Sequence, residues 1–152
     1  MKDPSGFLRE YAPVNLGQYV VDDLIISCSD HRFRHAFRAV VKNRDMERAD
    51  EITVPAPSKS IASGLILPHV VMLHEFHDFS NVHILDHPHC GGFQRDYDGE
   101  EDEKAMTKIH ERKLEAAAEA IHQALPHITV VTYVVGVEEV ISTRSFSHVP
   151  AD

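Results

Sequence analysis

The sequence predicts a single α/β domain: a mainly parallel four-stranded sheet in the order 2-1-3-4, flanking helices, and a short extra strand at one edge. Three observations lead there. Short β-branched runs alternate with segments whose apolar residues recur at helical spacing. Proline, glycine and polar clusters mark the junctions between them. The stretches Cys28-Ser29-Asp30-His31-Arg32 and His87-Pro88-His89-Cys90-Gly91-Gly92 each follow directly on a strand-like run. In an open parallel sheet that is where ligands gather, beyond the carboxyl ends of the strands.

A chain of 152 residues with 43% hydrophobic content is long enough for one α/β domain with a real core, and two independent domains would be crowded. We divide it into an N-terminal arm (1–18), an α/β domain (19–145) and a C-terminal tail (146–152). The arm mixes Pro4, Gly6, Pro13 and Gly17 with Phe7, Leu8 and Tyr11, which suits an irregular segment with one helical turn lying on its own domain or on a partner. Residues 19–27 hold Val20, Val21, Leu24, Ile25 and Ile26, a strand buried on both faces. From 30 to 41, Phe33, Phe37, Val40 and Val41 line one side of a helix, with Arg34, Arg38 and Lys42 on the other. Asp30 is placed to cap it.

Residues 51–54 form the second strand. The 55–60 stretch reads as a loop, because Pro55 and Pro57 remove backbone donors. A helix is expected over 68–78, begun by Pro68, with Val71, Met72 and Phe76 or Phe79 on its apolar face. Residues 81–86 carry Val82, Ile84 and Leu85 as the third strand, and Gly91 and Gly92 let the chain turn sharply after it. A polar loop over 93–103 precedes the clearest helix, 104–125. That helix has Ile109, Leu114, Ala117, Ala118, Ile121 and Leu125 inward, and Lys104 and Lys108 set against Glu111 and Glu115. Pro126 stops it. The fourth strand spans 127–137, and Val140-Ile141 adds a short edge segment. In the order 2-1-3-4, strands one and three are neighbours, so Cys28 and His87 end adjacent strands.

The formal net charge of -9 argues against nucleic acid, whose binding relies on lysine and arginine neutralising phosphates. No apolar run approaches the roughly 20 residues of a membrane span, and the first ten residues lack the pattern of a signal peptide. A cytoplasmic protein is expected. Two cysteines leave a disulfide arithmetically open, but a reducing compartment and the nearby His and Asp favour metal binding or thiol chemistry. Most of the 12 histidines, His110, His122, His127 and His148 among them, are expected to be solvated or packed.

Two thiolates and an imidazole make a zinc set: Cys28, His87 and Cys90 supply S and N donors and leave a fourth position open. A water there loses its proton more easily and becomes a nucleophile near neutral pH. Because two thiolates cancel the charge of Zn²⁺, activity should favour the alkaline side. Arg32 can hold Asp30 in a fork and keep it ionised. Asp30 then either accepts a hydrogen bond from that water or fills the fourth position itself. His31, His35 and His89 are candidates for passing protons to solvent, and Ser58, Lys59 and Ser60 for lining a pocket.

In these residues the chain resembles the beta-class carbonic anhydrases, whose signature is Cys-x-Asp-x-Arg after one strand and His-x-x-Cys-Gly after another. Here those positions are Cys28, Asp30 and Arg32, then His87, Cys90 and Gly91. The resemblance implies Zn²⁺ held by Cys28, His87 and Cys90, an Asp30–Arg32 catalytic dyad, a homodimer or larger homo-oligomer, and reversible hydration of carbon dioxide to bicarbonate. Hydrolysis of carbonyl sulfide or carbon disulfide on the same site is one alternative, and a zinc-binding scaffold or regulator without turnover is another. The chain departs from the family after the second strand. An Arg-Asn-Ala-Gly-like stretch is usual there, whereas this sequence has Val54-Pro55-Ala56-Pro57-Ser58-Lys59-Ser60.

Overall fold

The computed structural model describes residues 19–99 and 102–147. The arm with Phe7, Leu8 and Tyr11, and His148 in the tail, lie outside the described residues. Strand β1 (Asp23–Cys28) leads through a 3-10 turn (His31–Phe33) into helix α1 (Arg34–Asn43), and β2 (Ala49–Val54) follows. Helices α2 (Pro57–Ala62) and α3 (Leu67–His77) precede β3 (Asn81–Asp86). A second 3-10 turn (Gly91–Phe93) runs into the short helix α4 (Gln94–Tyr97), then come α5 (Glu103–Ala124), β4 (Thr129–Val135) and β5 (Val140–Ser147).

The five strands stand in the order β2-β1-β3-β4-β5. The first four are parallel, as the alternation of strand and helix predicts, and β5 pairs antiparallel with β4. Successive residues of a strand point to opposite faces, and the two cores follow that rule. Leu24, Ile26, Val82, Ile84 and Val130 pack under Ile61 of α2, Val70 of α3 and the Leu114–Ile121 stripe of α5. Ile25, Leu85, Tyr133 and Val135 on the other face meet Phe33, Phe37 and Val40 around α1, and Phe93, Tyr97 and Met106. With both faces covered, the strands read as nearly continuous apolar runs.

Several elements differ from the sequence reading, each for a local reason. The 55–60 stretch is not all loop: Pro57 occupies the first turn of α2, where its missing N–H costs nothing. Strand β1 starts at Asp23, leaving Tyr19 (64%) and Val20 (41%) exposed. Helix α3 buries Val70 rather than the expected face. Met72 is 43% and Phe76 70% exposed, and buried Phe79 lies beyond the helix. Within 93–103, expected as a loop, Gln94–Tyr97 forms α4. Strand β5 runs eight residues rather than two and takes in residues 146 and 147, expected in the tail. It also captures the acids assigned to helical lysine pairs: Ser142 Oγ donates to Glu111, and Arg144 pairs with Glu115. Among the described residues no helix is long and apolar enough to cross a membrane.

Candidate metal centre

Because β1 and β3 are neighbours in parallel register, with Ser27 opposite Leu85, the chain leaving each strand arrives at the same place. Cys28 ends β1, and His87 follows the last residue of β3. The turn that returns Cys90 toward Cys28 passes through His89 at φ 57, so the left-handed residue is His89 rather than either glycine. Gly92 is needed for another reason: a Cβ there would stand 2.6 Å from the Cβ of Ala56.

The donor atoms of Cys28, His87 and Cys90 lie within 4.8 Å of one another, and all three residues are buried. The two cysteines are free, their sulfurs 3.9 Å apart. The ring of His87 stacks on Phe33 at 4.1 Å, and its Nδ1–H donates to the carbonyl of Pro88 at 2.8 Å. That bond leaves the lone pair on Nε2. The atom is buried and without a hydrogen-bond partner, although such atoms nearly always have one. A metal ion at the centre of the three donors would satisfy it, so the set fits a metal. The hydrogen bond between the two sulfurs lowers the pKa of Cys28, while that same bond and burial raise that of Cys90. Both thiols bind a metal as thiolates, so binding one displaces any proton they hold.

Beside this group the carboxylate of Asp30 accepts from Arg32 in a fork. Nε donates at 3.0 Å to Oδ1 and Nη2 at 2.6 Å to Oδ2. The backbone N–H of Arg32 adds a 3.0 Å bond, the capping role expected of Asp30. The guanidinium holds the carboxyl well below the usual carboxylate range. It also donates at 3.4 Å to the carbonyl of His89, tying the two motifs together.

No family model matches the chain. It is 25% identical over 139 residues to an uncharacterized protein of Rickettsia bellii, a match spanning 85% of this chain and 84% of that protein. Among solved structures it superposes on a beta-carbonic anhydrase of Trichomonas vaginalis with a TM-score of 0.60 at 11% identity, covering 94% of this chain and 92% of that one. A beta-carbonic anhydrase structure from Sordaria macrospora, one of two described as tetrameric, gives a TM-score of 0.53 at 14% identity over 86% and 85%. The chain has the beta-carbonic anhydrase fold.

Within that fold, the divergent stretch after β2 braces the Cys90 loop. Lys59 Nζ donates to the carbonyl of Gly92 at 3.0 Å, pairs with Asp96 at 2.6 Å and lies over the ring of Phe93. Ser60 Oγ donates to the carbonyl of Pro55 at 2.8 Å, and Ser58 turns inward to Asp86. None of the three walls the cavity of about 160 Å³ beside Cys28 and Asp30, whose lining includes Ser27, Phe37, Val41 and Thr53. His31, His35 and His89 are exposed.

Sequence reading singled out neither Asp86 nor Tyr97, took His110 as merely packed, and gave Ser58 a pocket-lining place rather than the buried one it holds. Asp86 (1% exposed) accepts from Ser58 and from His110 (0%), and His110 reaches the hydroxyl of Tyr97. His110 is packed, as expected, but it is also hydrogen-bonded at both ring nitrogens. The available signal was its place on the apolar stripe of α5, four residues after Met106 and four before Leu114.

Proposed function

We propose that the protein is a zinc-dependent carbonic anhydrase, hydrating carbon dioxide reversibly to bicarbonate, with Zn²⁺ held by Cys28, His87 and Cys90. One observation carries this reading: the unpartnered Nε2 of buried His87 faces two free sulfurs next to an arginine-held carboxylate. Two thiolates bound tetrahedrally to one zinc at about 2.3 Å stand about 3.8 Å apart, close to the 3.9 Å separation found here.

When bound, Zn²⁺ supplies the Lewis acidity that makes a water nucleophilic near neutral pH. The protein's own residues do the rest. Asp30, ionised and gripped through both oxygens, accepts the hydrogen bond that orients the attacking water. Arg32 keeps the carboxylate from swinging inward, which favours an open fourth position over one filled by Asp30. Phe33 and Phe37 flank the ring of His87 and exclude solvent from that side. A cytoplasmic setting suits a centre that needs reduced thiols. We take the working form to be a homodimer or larger homo-oligomer, a reading supported by the exposed Met72 and Phe76 of α3.

Zinc analysis with stopped-flow carbon dioxide hydration across pH tests the proposal. The expected result is stoichiometric zinc and a rate that climbs toward alkaline pH. Metal-replete protein with no hydration at any pH overturns it. Turnover of carbonyl sulfide or carbon disulfide without carbon dioxide hydration would move the activity to those substrates.

A further inference from the structure

We infer that Tyr97 and His110 are positioning residues for the metal centre, acting through a buried hydrogen-bonded chain that runs from Ser58 and Asp86 to the backbone of Cys90. The inference rests on the reading above that Cys28, His87 and Cys90 hold a metal.

The direction of each bond follows from chemistry. The N–H of Cys90 can only donate, and it donates to the hydroxyl oxygen of Tyr97 at 3.1 Å. The hydrogen of Tyr97 is then aimed at its other neighbour, Nε2 of His110, at 2.6 Å. For Nε2 to accept, the proton of a neutral His110 must sit on Nδ1, which donates to Asp86 Oδ2 at 2.7 Å. Ser58 adds two donors to the same carboxylate, N–H at 3.2 Å and Oγ–H at 2.5 Å. Every bond points toward Asp86, and none of the side chains is more than 5% exposed. Phe93 packs on the His110 ring at 4.0 Å. Such a fully satisfied buried network is rigid.

Its path gives it a function. Asp86 immediately precedes His87, and Cys90 comes three residues after it. The chain leaves the backbone at 86, crosses α5 and α4, and returns at 90. It therefore braces the turn that sets His87 and Cys90 apart, two of the three donors. Partners that orient metal ligands are typically worth ~10–100-fold in metal affinity.

Two other Asp–His–Tyr sets supply a control. Asp23, His83 and Tyr133 are joined at 2.9 and 3.0 Å, and Asp50 joins His77 and Tyr19. Asp23 opens β1 and Asp50 is the second residue of β2, and neither set ends on a metal-ligand residue.

Cobalt(II) titration of the full-length metal-free chain, read by thiolate-to-cobalt charge-transfer and d–d bands, tests the inference. Wild type should show a charge-transfer band. Tyr97→Phe should bind Co²⁺ ~10-fold or more weakly with altered d–d bands, whereas Tyr133→Phe should match wild type. Tyr97→Phe combined with His110→Gln should bind no more weakly than His110→Gln alone, because the two act in series. Far-UV circular dichroism checks folding, and should Tyr97→Phe not fold, Ser58→Ala reads the chain from its other end. A wild-type band left unchanged by the folded variant, or equal effects of Tyr97→Phe and Tyr133→Phe, overturns the inference alone. Absence of the band in wild type overturns the metal reading and the inference with it.

Discussion

Oδ2 of Asp30 stands 3.7 Å from Nε2 of His87, too far for a hydrogen bond yet close enough for both to address one small group between them. The carboxylate is held there from outside by Arg32, whose side chain is 58% exposed while that of Asp30 is 15%. Under the proposed function, this carboxylate, gripped from the solvent side, is the group that orients the reactant.

The dyad should separate catalysis from metal binding. Asp30→Ala should lower carbon dioxide hydration by roughly 10²-fold or more, the scale of positioned acid–base groups, with zinc content unchanged. Arg32→Lys should recover little, since an ammonium cannot reproduce the fork. Stopped-flow rates beside metal analysis give both readouts, and equal rates for Asp30→Ala and wild type would refute the assigned role.

Acid should weaken metal binding. Cys28 and Cys90 must be deprotonated to hold a metal, so uptake releases protons and affinity falls as pH falls, by about tenfold per unit for each proton released. Chelator competition at several pH values should show this slope, with acidification of a weak buffer on zinc addition.

Asp30 contributes its own pH term. Its folded-state pKa is depressed, first by the hydrogen bonds from Arg32, so its stabilisation is present above the unfolded value of about 3.9 and is lost as pH falls through the lower folded value. Urea unfolding of wild type and Asp30→Asn should differ at pH 7 and converge well below pH 4. A difference that persists unchanged in acid would contradict the linkage.

The contact of Ala56 with Gly92 gives a stability test. Ala56 sits at φ 46, where glycine is at ease and alanine strained, so Ala56→Gly should stabilise by up to about 1 kcal/mol. Gly92→Ala drives one Cβ against another and should cost about 1–3 kcal/mol. Together the two should be milder than their sum, because the first removes the atom that the second strikes. Denaturant midpoints measure all three.

In the core, Ile84 is fully buried at the centre of the sheet. Ile84→Ala should cost about 2–5 kcal/mol, and a smaller loss in thermal or chemical unfolding would show that this layer collapses around the gap.

The sequence by itself determined the strand and helix alternation, the parallel sense it implies, and the placing of Cys28, His87 and Cys90 at or just after strand ends. Each depends on short-range pattern: apolar period, turn residues, and ligands placed just after strands. Asp30 and Arg32 were legible for the same reason, since only two positions separate them and the bond between them is local. Tertiary structure decided what spacing cannot carry. The Ser58, Asp86, His110 and Tyr97 chain draws on four elements, and nothing in the local sequence of α5 says that His110 meets the carboxylate of Asp86. Likewise α3 is apolar on nearly every side, so its period could not tell Val70, which packs, from Met72 and Phe76, which do not. Burial is settled by what lies opposite a face, and that is a property of the assembled chain.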